Sequence, residues 1–215
     1  MGCAQREGID YNEVYAPVAK HTTMRALLAK AVAEGLHVHQ LDVKTAFLNG
    51  DLEEDIWMQQ PPGFSVDGGL ACHLKKSLYG LKQAPRAWNK RLTEELESQG
   101  FVVSDADPCL FIRHLKDDTL FLLVWVDDIL LVAGNEKNIL SIKDNLSKEF
   151  ALHDLGPVKR HLGMEVHRDW DSCTLTLSQK HLTSELVAKF GLEDAKGRDI
   201  PLSPAVKLTT ARSEE

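Results

Sequence analysis

Apolar residues recur along this chain with a helical period in four segments. Between Thr23 and Glu34 they fall every three or four positions, which predicts a helix that Thr22 or Thr23 caps and that Gly35 ends. Three further helices are predicted in the same way, each opened by a residue that favours a helix N-terminus: 85–99 by Pro85, 136–150 by Asn135, and 179–190 by Ser178.

Other segments alternate with the period of a strand or form short apolar runs. They predict a strand at 36–43, a hairpin of 109–115 and 119–125, a strand at 129–133, and a hairpin of 163–167 and 173–177. Strands and helices are therefore largely segregated along the chain. This order predicts an α+β fold, in which an antiparallel sheet carries helices on one face.

Composition indicates a folded protein, because 43% of the 215 residues are hydrophobic and they are spread along the whole length. The longest apolar run, Leu120 to Val126, is strand-sized, so we expect no membrane partner. The four cysteines lie far apart, which favours a reducing, intracellular location. A zinc site is an alternative interpretation of four residues: His37, His39, Cys72 and His73.

The net charge of −7 argues against a nucleic-acid partner, but the charge is unevenly distributed. From Cys72 to Thr93 there is no acidic residue, and this stretch contains six basic ones: Lys75, Lys76, Lys82, Arg86, Lys90 and Arg91. Because local charge matters more than net charge for binding in a groove, the stretch can form a phosphate-binding groove. The alternative interpretation is a solvated surface helix and loop.

Two carboxylates, Asp127 and Asp128, interrupt the apolar stretch 121–133. One interpretation is an ordinary hairpin turn, since aspartate is a common turn residue. However, the favoured two-residue hairpin turns contain glycine, and this pair does not. Adjacent like charges beside buried strands also repel each other unless a cation neutralises them. Asp42 ends the first predicted strand. If that strand neighbours the hairpin, three carboxylates can hold two Mg²⁺ ions about 3.5–4 Å apart.

Six segments, in order, resemble the reverse transcriptases of Ty1/copia-type LTR retrotransposons. Two carry the most distinctive motifs: Gln40-Leu-Asp-Val-Lys-Thr-Ala-Phe-Leu-Asn-Gly50 and Ser77-Leu-Tyr-Gly-Leu-Lys-Gln-Ala-Pro-Arg-Ala-Trp88. The other four are 11–20, 105–111, 125–128 and 154–163. The resemblance as a whole covers roughly 5–202.

The resemblance implies a right-hand polymerase that performs RNA- or DNA-templated DNA synthesis. It assigns partial fingers to 1–35, the palm to 36–160 with a fingers insertion at about 51–84, the palm–thumb hairpin and helix to 161–192, and an irregular tail to 193–215. It also implies a primed template, deoxynucleoside triphosphates, and two Mg²⁺ ions with Mn²⁺ as a substitute. Asp42, Asp127 and Asp128 become the catalytic metal ligands.

By the same resemblance, other residues acquire roles. Phe47 becomes a steric gate that clashes with a ribose 2′-hydroxyl. The N–H groups of the nucleotide-binding turn belong to Val43, Lys44, Thr45 and Ala46. Tyr79, Gly80 and Gln83 line the nucleotide pocket. Template and primer contacts fall to Lys82, Arg86, Trp125 and Val126. Trp88 is assigned to the helix core.

The chain also departs from the family pattern. Trp125 stands where most relatives have Tyr, and His153 lies where relatives often have Lys. His153 is expected to protonate the leaving pyrophosphate only when it is itself charged. The match begins inside the fingers, without the basic strand that precedes them in relatives. A piece of a polyprotein is therefore expected, in a cytoplasmic virus-like particle or the nucleus.

Two alternatives compete with the polymerase. The first is a catalytically silent remnant that at most binds nucleic acid, since the aspartates are present but the fingers are incomplete. The second is a metal-dependent hydrolase with a carboxylate cluster, to which the segment Ser77 to Trp88 gives no support.

Overall fold

The computed structural model describes residues 2–66 and 68–197. This part of the chain contains four α-helices: α1 (His21–Ala33), α2 (Ala84–Ser98), α3 (Glu136–Glu149) and α4 (Lys180–Lys189). It contains eleven strands: β1 (His37–Val43), β2 (Trp57–Gln59), β3 (Ala71–His73), β4 (Val102–Ser104), β5 (Asp107–His114), β6 (Thr119–Trp125), β7 (Asp128–Ala133), β8 (Leu152–Pro157), β9 (Arg160–His161), β10 (Met164–Asp169) and β11 (Thr174–Ser178).

Six strands form the central sheet in the order β4-β5-β6-β7-β1-β8, and each neighbouring pair is antiparallel. Strands β9 to β11 form a second sheet, and β2 pairs with β3 in a small separate hairpin. The mixed α/β architecture with antiparallel sheets agrees with the predicted class. The predicted tail, 193–215, lies largely outside the described residues.

Helices cover both faces of the central sheet, so the prediction of helices on one face is wrong. On one face, side chains of α2 and α3 such as Leu92 and Ile142 share a core with Leu41 and Leu131. On the other face, α1 and the second sheet pack against residues that include Leu130. The physical reason is that β7 is buried on both sides from its second residue to its last, as a continuous apolar strand requires.

The start of α1 is capped by a residue from another element, which corrects the prediction of a cap by Thr22 or Thr23. Lys20 occupies the N-cap position and its side chain makes no cap. Instead the buried carboxylate of Asp107 accepts hydrogen bonds from the Lys20 N–H at 2.9 Å and from the Thr23 hydroxyl at 2.6 Å. One aspartate of the 105–111 motif therefore fastens the N-terminal segment to β5.

Several other predicted boundaries are confirmed within one or two residues. Pro85 lies in the first turn of α2, and Asn135 caps α3 by accepting a hydrogen bond from the Lys137 N–H at 3.0 Å. Gln179, rather than Ser178, is the N-cap residue of α4, although the Ser178 hydroxyl accepts from the Lys180 N–H. Strand β8 and the β2–β3 hairpin were not predicted. No described helix is both long and apolar enough to cross a membrane.

Asp118, in the β5–β6 turn, joins three elements through one carboxylate. It accepts hydrogen bonds from the N–H of Thr119, the N–H groups of Gly134 and Asn135, and the side-chain amide of Asn138. Burial opposes ionisation of this group, but these hydrogen bonds prevail and hold its pKa below the usual value. The carboxylate thus supports both the hairpin and the start of α3.

We predict that Asp118→Ala lowers the free energy of unfolding by roughly 2 kcal/mol at pH 7, because several donors lose their acceptor. The folded-state pKa is depressed, so this stability is present above the unfolded pKa of about 3.9 and is lost as pH falls through the folded value. Urea denaturation at several pH values measures it. Asp117→Ala, a change at the exposed neighbour, is the control, and equal losses in both variants contradict the assignment.

Candidate functional site

Two of the predicted catalytic carboxylates lie side by side on neighbouring strands, at one end of the central sheet. In the β1–β7 register, Asp42 is the direct partner of Asp128. Antiparallel partners project to the same face with Cβ atoms about 4.5–5.5 Å apart, so these side chains are neighbours. The Gln40 side-chain amide, two residues earlier on the same face, donates to Asp128 Oδ1 at 3.0 Å.

The third carboxylate, Asp127, lies in the tight turn between β6 and β7. The Val43 N–H donates to the Asp127 carbonyl at 2.9 Å and ties this turn to the end of β1. Burial raises the pKa of Asp127, and the negative charges of Asp128 and Asp42 raise it further. The electrostatic coupling follows from the spacing, because three acids occupy adjacent ends of two paired strands.

The three carboxylates lie at adjacent strand ends but do not form a metal site in the described residues. Among residues 2–66 and 68–197, no group of three or more His, Cys, Asp or Glu side chains is arranged to hold a metal ion. The donor chemistry nevertheless suits Mg²⁺, which prefers carboxylate oxygens and retains water and phosphate ligands. The side chains of Asp42, Asp127 and Asp128 would have to turn toward one another to bind it.

The zinc alternative gains no support from the described structure. His37 and His39 lie on β1, whereas Cys72 and His73 belong to the β2–β3 hairpin. His39 is buried and its Nδ1 contacts Lys143 Nζ at 2.8 Å. His73 is bound to Asp55 at 2.6 Å and stacks on Trp57.

Two residues assigned to the nucleotide pocket, Phe47 and Tyr79, contact each other. The Phe47 and Tyr79 rings lie 4.9 Å apart between centroids, at an interplanar angle of 52°. The Ser77 hydroxyl donates to the Phe47 carbonyl and fixes the short 3₁₀ turn that carries the ring. The structure therefore brings the first and second sequence motifs together at one end of the sheet.

The backbone groups assigned to the triphosphate are only partly free to bind it. The Val43 N–H donates to Asp127 and the Lys44 N–H donates to Ala151, both at 2.9 Å. Thr45 then adopts a left-handed conformation, with φ of 52°, before the turn that begins at Ala46. A phosphate contact is consequently left to the last two residues.

Most cations of the acid-free stretch are paired with acids from elsewhere in the chain. Two of these ion pairs join the stretch to acids just before it, Lys76 with Asp51 and Lys90 with Glu53, and a third, Arg91 with Glu149, joins it to α3. These cations therefore neutralise internal charge, which agrees with the solvated-surface interpretation for this part of the stretch.

Residues 5–13 form hydrogen bonds and an ion pair with the side chains that are assigned to the template and the nucleotide. Gln83 is buried and bonds to the Gln5 side chain and to the carbonyl of Asp10. Lys82 Nζ lies 3.1 Å from the Tyr11 hydroxyl. Arg86 pairs with Glu13 at 3.0 Å. A template strand would have to replace these bonds in order to contact Lys82 and Arg86.

The remaining assigned residues surround the same end of the sheet. His153 on β8 is the direct partner of Asp42 and is exposed. Trp125 and Val126 form the approach to the turn, and the Trp125 ring lies 5.0 Å from that of His21. Gly80, with φ of 92°, carries a left-handed backbone beside Tyr79.

Sequence reasoning missed the contribution of Gln40. The signal was present in the two-residue period of β1, which places position 40 on the same face as position 42. The sequence also assigned Trp88 only to the helix core, although the Trp88 indole N–H donates to the Val126 carbonyl at 2.7 Å. No periodicity encodes that contact, because it joins α2 to a turn 38 residues later.

Comparison with known proteins agrees with this geometry. A family model described as reverse transcriptase (RNA-dependent DNA polymerase) matches residues 1–204. The chain belongs to the reverse transcriptase family. It is 42% identical over 211 residues to the retrovirus-related Pol polyprotein from transposon TNT 1-94 of Nicotiana tabacum, and 41% identical over 212 residues to that from transposon RE1 of Arabidopsis thaliana. Each alignment covers 97% of the chain.

A more distant relative is the putative transposon Ty5-1 protein of Saccharomyces cerevisiae, 32% identical over 164 residues, which are 75% of the chain and 53% of the relative. These matches confirm the resemblance to copia-type elements. The chain spans 16% of the tobacco polyprotein and 14% of the Arabidopsis one. No solved structure matches the chain.

The proximity of Asp127 to Asp42 and Asp128 leads to a prediction about stability that can be tested without an activity assay. At pH 7 without divalent cations, we predict that Asp127→Asn raises the free energy of unfolding by roughly 0.2–1 kcal/mol, the range for interactions between partly exposed charges. The folded pKa of Asp127 is raised, so ionisation penalises the folded state as pH rises through the folded value. The gain therefore vanishes in acid, below the unfolded pKa of about 3.9.

Urea denaturation between pH 3 and 7 measures this gain. Asp105→Asn, at an exposed aspartate in the β4–β5 turn, is the matched control and is expected to have little effect. A loss of stability in Asp127→Asn at neutral pH contradicts the electrostatic account of the cluster.

Proposed function

We propose that this chain is the polymerase portion of a copia-type retrotransposon polyprotein and performs RNA- or DNA-templated DNA synthesis by a two-metal mechanism. The observation that carries the proposal is the β1–β7 register, which pairs Asp42 with Asp128 beside the Asp127 turn. Family membership supplies the reaction class. We assign the palm to 36–160, the partial fingers to 1–35 with the insertion at about 51–84, and the palm–thumb hairpin and helix to 161–192.

In this proposal the aspartates act as ligands of two Mg²⁺ ions, and Mn²⁺ can replace them. When bound, the ions supply the positive charge that activates a primer 3′-hydroxyl and holds the triphosphate. Asp42 and Asp127 are the principal ligands, and Asp128 contributes less directly. Gln40 holds Asp128 in place through its amide donor at 3.0 Å.

The incoming nucleotide lies, in this proposal, against the Phe47 and Tyr79 rings. Their tilted contact at 4.9 Å orients Phe47 as the steric gate against a 2′-hydroxyl. Thr45 and Ala46 provide backbone N–H groups for the phosphates. His153, opposite Asp42 on β8, is assigned as the acid that protonates pyrophosphate.

The partners that follow are a primed RNA or DNA template and deoxynucleoside triphosphates. Lys82, Arg86, Trp125 and Val126 are assigned to the nucleic acid. Binding exchanges the present partners of Lys82 and Arg86 for phosphates, so strong salt dependence is expected. An intracellular location, in a cytoplasmic virus-like particle or the nucleus, suits such a polyprotein portion.

Primer extension tests the proposal directly. With a primed homopolymer, Mg²⁺ or Mn²⁺ and the complementary nucleotide, the wild-type chain is expected to extend the primer. Asp127→Asn lowers the rate by at least about a thousandfold, because a carboxylate ligand is lost. Asp105→Asn is expected to keep full activity. Binding of the primed template without extension supports the silent remnant instead, and nucleic-acid cleavage without a template supports the hydrolase.

The steric gate gives a second prediction. Phe47→Ala lowers the preference for deoxyribonucleotides over ribonucleotides by at least about tenfold, because the ring no longer meets the 2′-hydroxyl. The ratio of the two kcat/KM values measures it. Leu48→Ala, at the exposed neighbouring residue, is the control. An unchanged ratio in an active Phe47→Ala enzyme removes the gate from this position.

A further inference from the structure

The turn that presents the two aspartates has an unusual backbone. Val126 precedes Asp127 and has φ of 58°, in the left-handed region. This conformation is strained for a β-branched side chain and persists only where surrounding contacts impose it. The contacts that hold Val126 therefore decide where the following two carboxylates point.

One such contact comes from α2. The Trp88 indole N–H donates to the Val126 carbonyl at 2.7 Å, and Trp88 is only 2% exposed. The Val43 N–H, which donates to the Asp127 carbonyl at 2.9 Å, holds the next peptide from the β1 side. The turn is therefore clamped at two successive carbonyls by two different elements.

Close packing does not replace the Trp88 contact. A cavity of about 320 Å³ borders the turn and is lined by Val126, Trp88, Phe47 and Val124. Val126 thus borders this cavity on the side that faces Phe47 and Val124. A hydrogen bond in such apolar surroundings is strong, and its loss leaves the carbonyl without that partner.

The donor itself is held rigidly. The Trp88 ring meets Phe150, after α3, edge-on at 5.1 Å and 81°. Arg91, one turn further along α2, lies over the Phe150 ring, with its guanidinium carbon 5.1 Å from the ring centre. The packing of α2 against α3 therefore fixes the direction of the indole N–H.

We propose that Trp88 is a positioning residue: its hydrogen bond imposes the left-handed conformation of Val126 and so aims Asp127 and Asp128. The kinetic part of this inference rests on the proposed polymerase function. It gives the second sequence motif a physical link to the carboxylates, because Trp88 ends the segment that begins at Ser77.

Trp88→Phe tests the link by keeping an aromatic ring while removing the N–H donor. We expect kcat for single-nucleotide extension to fall by about tenfold with KM for the nucleotide within about twofold, since misplaced carboxylates affect the reaction more than binding. Leu96→Val is the control: it trims a fully buried residue of the same helix, eight positions beyond Trp88, and kcat should stay within about twofold. Equal kcat in the two variants overturns the proposal.

A second change distinguishes positioning from general destabilisation. Glycine adopts positive φ without strain, so Val126→Gly removes the need for an imposed conformation. In the Trp88→Phe background, Val126→Gly should recover at least about threefold in kcat. A double variant no faster than Trp88→Phe contradicts the proposed role.

Amide hydrogen exchange provides a measurement that does not need catalysis. In Trp88→Phe, the Val43 amide, which donates to Asp127, should exchange about tenfold faster relative to the Leu131 amide in the middle of β7. Uniform acceleration, as expected for Leu96→Val, overturns the proposal. If the wild-type chain extends no primer, the proposed function fails. The exchange rate of the Val43 amide then tests by itself whether Trp88 holds the turn.

Discussion

The antiparallel register between β1 and β7 is the constraint on which the site depends. It places Asp42 directly opposite Asp128, and a shift by one residue would send one of these side chains to the other face of the sheet. The register is fixed by burial, since Leu41 and Leu130 belong to cores on opposite faces. The hydrophobic effect therefore brings together three like charges that would otherwise separate.

Structural carboxylates hold the surrounding elements to this central pair of strands. Asp107 caps α1 from β5, and Asp118 joins the β5–β6 turn to the start of α3. Both have lowered pKa values despite burial, because donors surround them. Asp127 differs, because burial and then its acidic neighbours raise its pKa. The structure thus separates acids that already have hydrogen-bond donors from an acid for which residues 2–66 and 68–197 supply no ion-pair partner.

Sequence predicts the elements well where periodicity is strong. The helices beginning at Ala84 and Glu136 and the β6–β7 strands follow directly from apolar spacing. Prediction fails where distant contacts decide: Asp107 caps a helix more than eighty residues earlier in the chain, and β8 forms although its residues are mostly exposed. The candidate aspartates were recognisable because charges interrupt apolar runs. The bonds of residues 5–13 to Gln83, Lys82 and Arg86 were not recognisable, because no local sequence pattern encodes contacts between distant segments.

The central claim is that Asp42 and Asp127 share cations, and titration with Mn²⁺ followed by electron paramagnetic resonance tests it most directly. We expect that the wild-type chain binds Mn²⁺ and that Asp42→Asn and Asp127→Asn each weaken binding by at least about tenfold. Asp105→Asn should bind like the wild type. If Asp42→Asn binds Mn²⁺ as tightly as the wild type while Asp127→Asn does not, the two strands do not form one site and the account is contradicted.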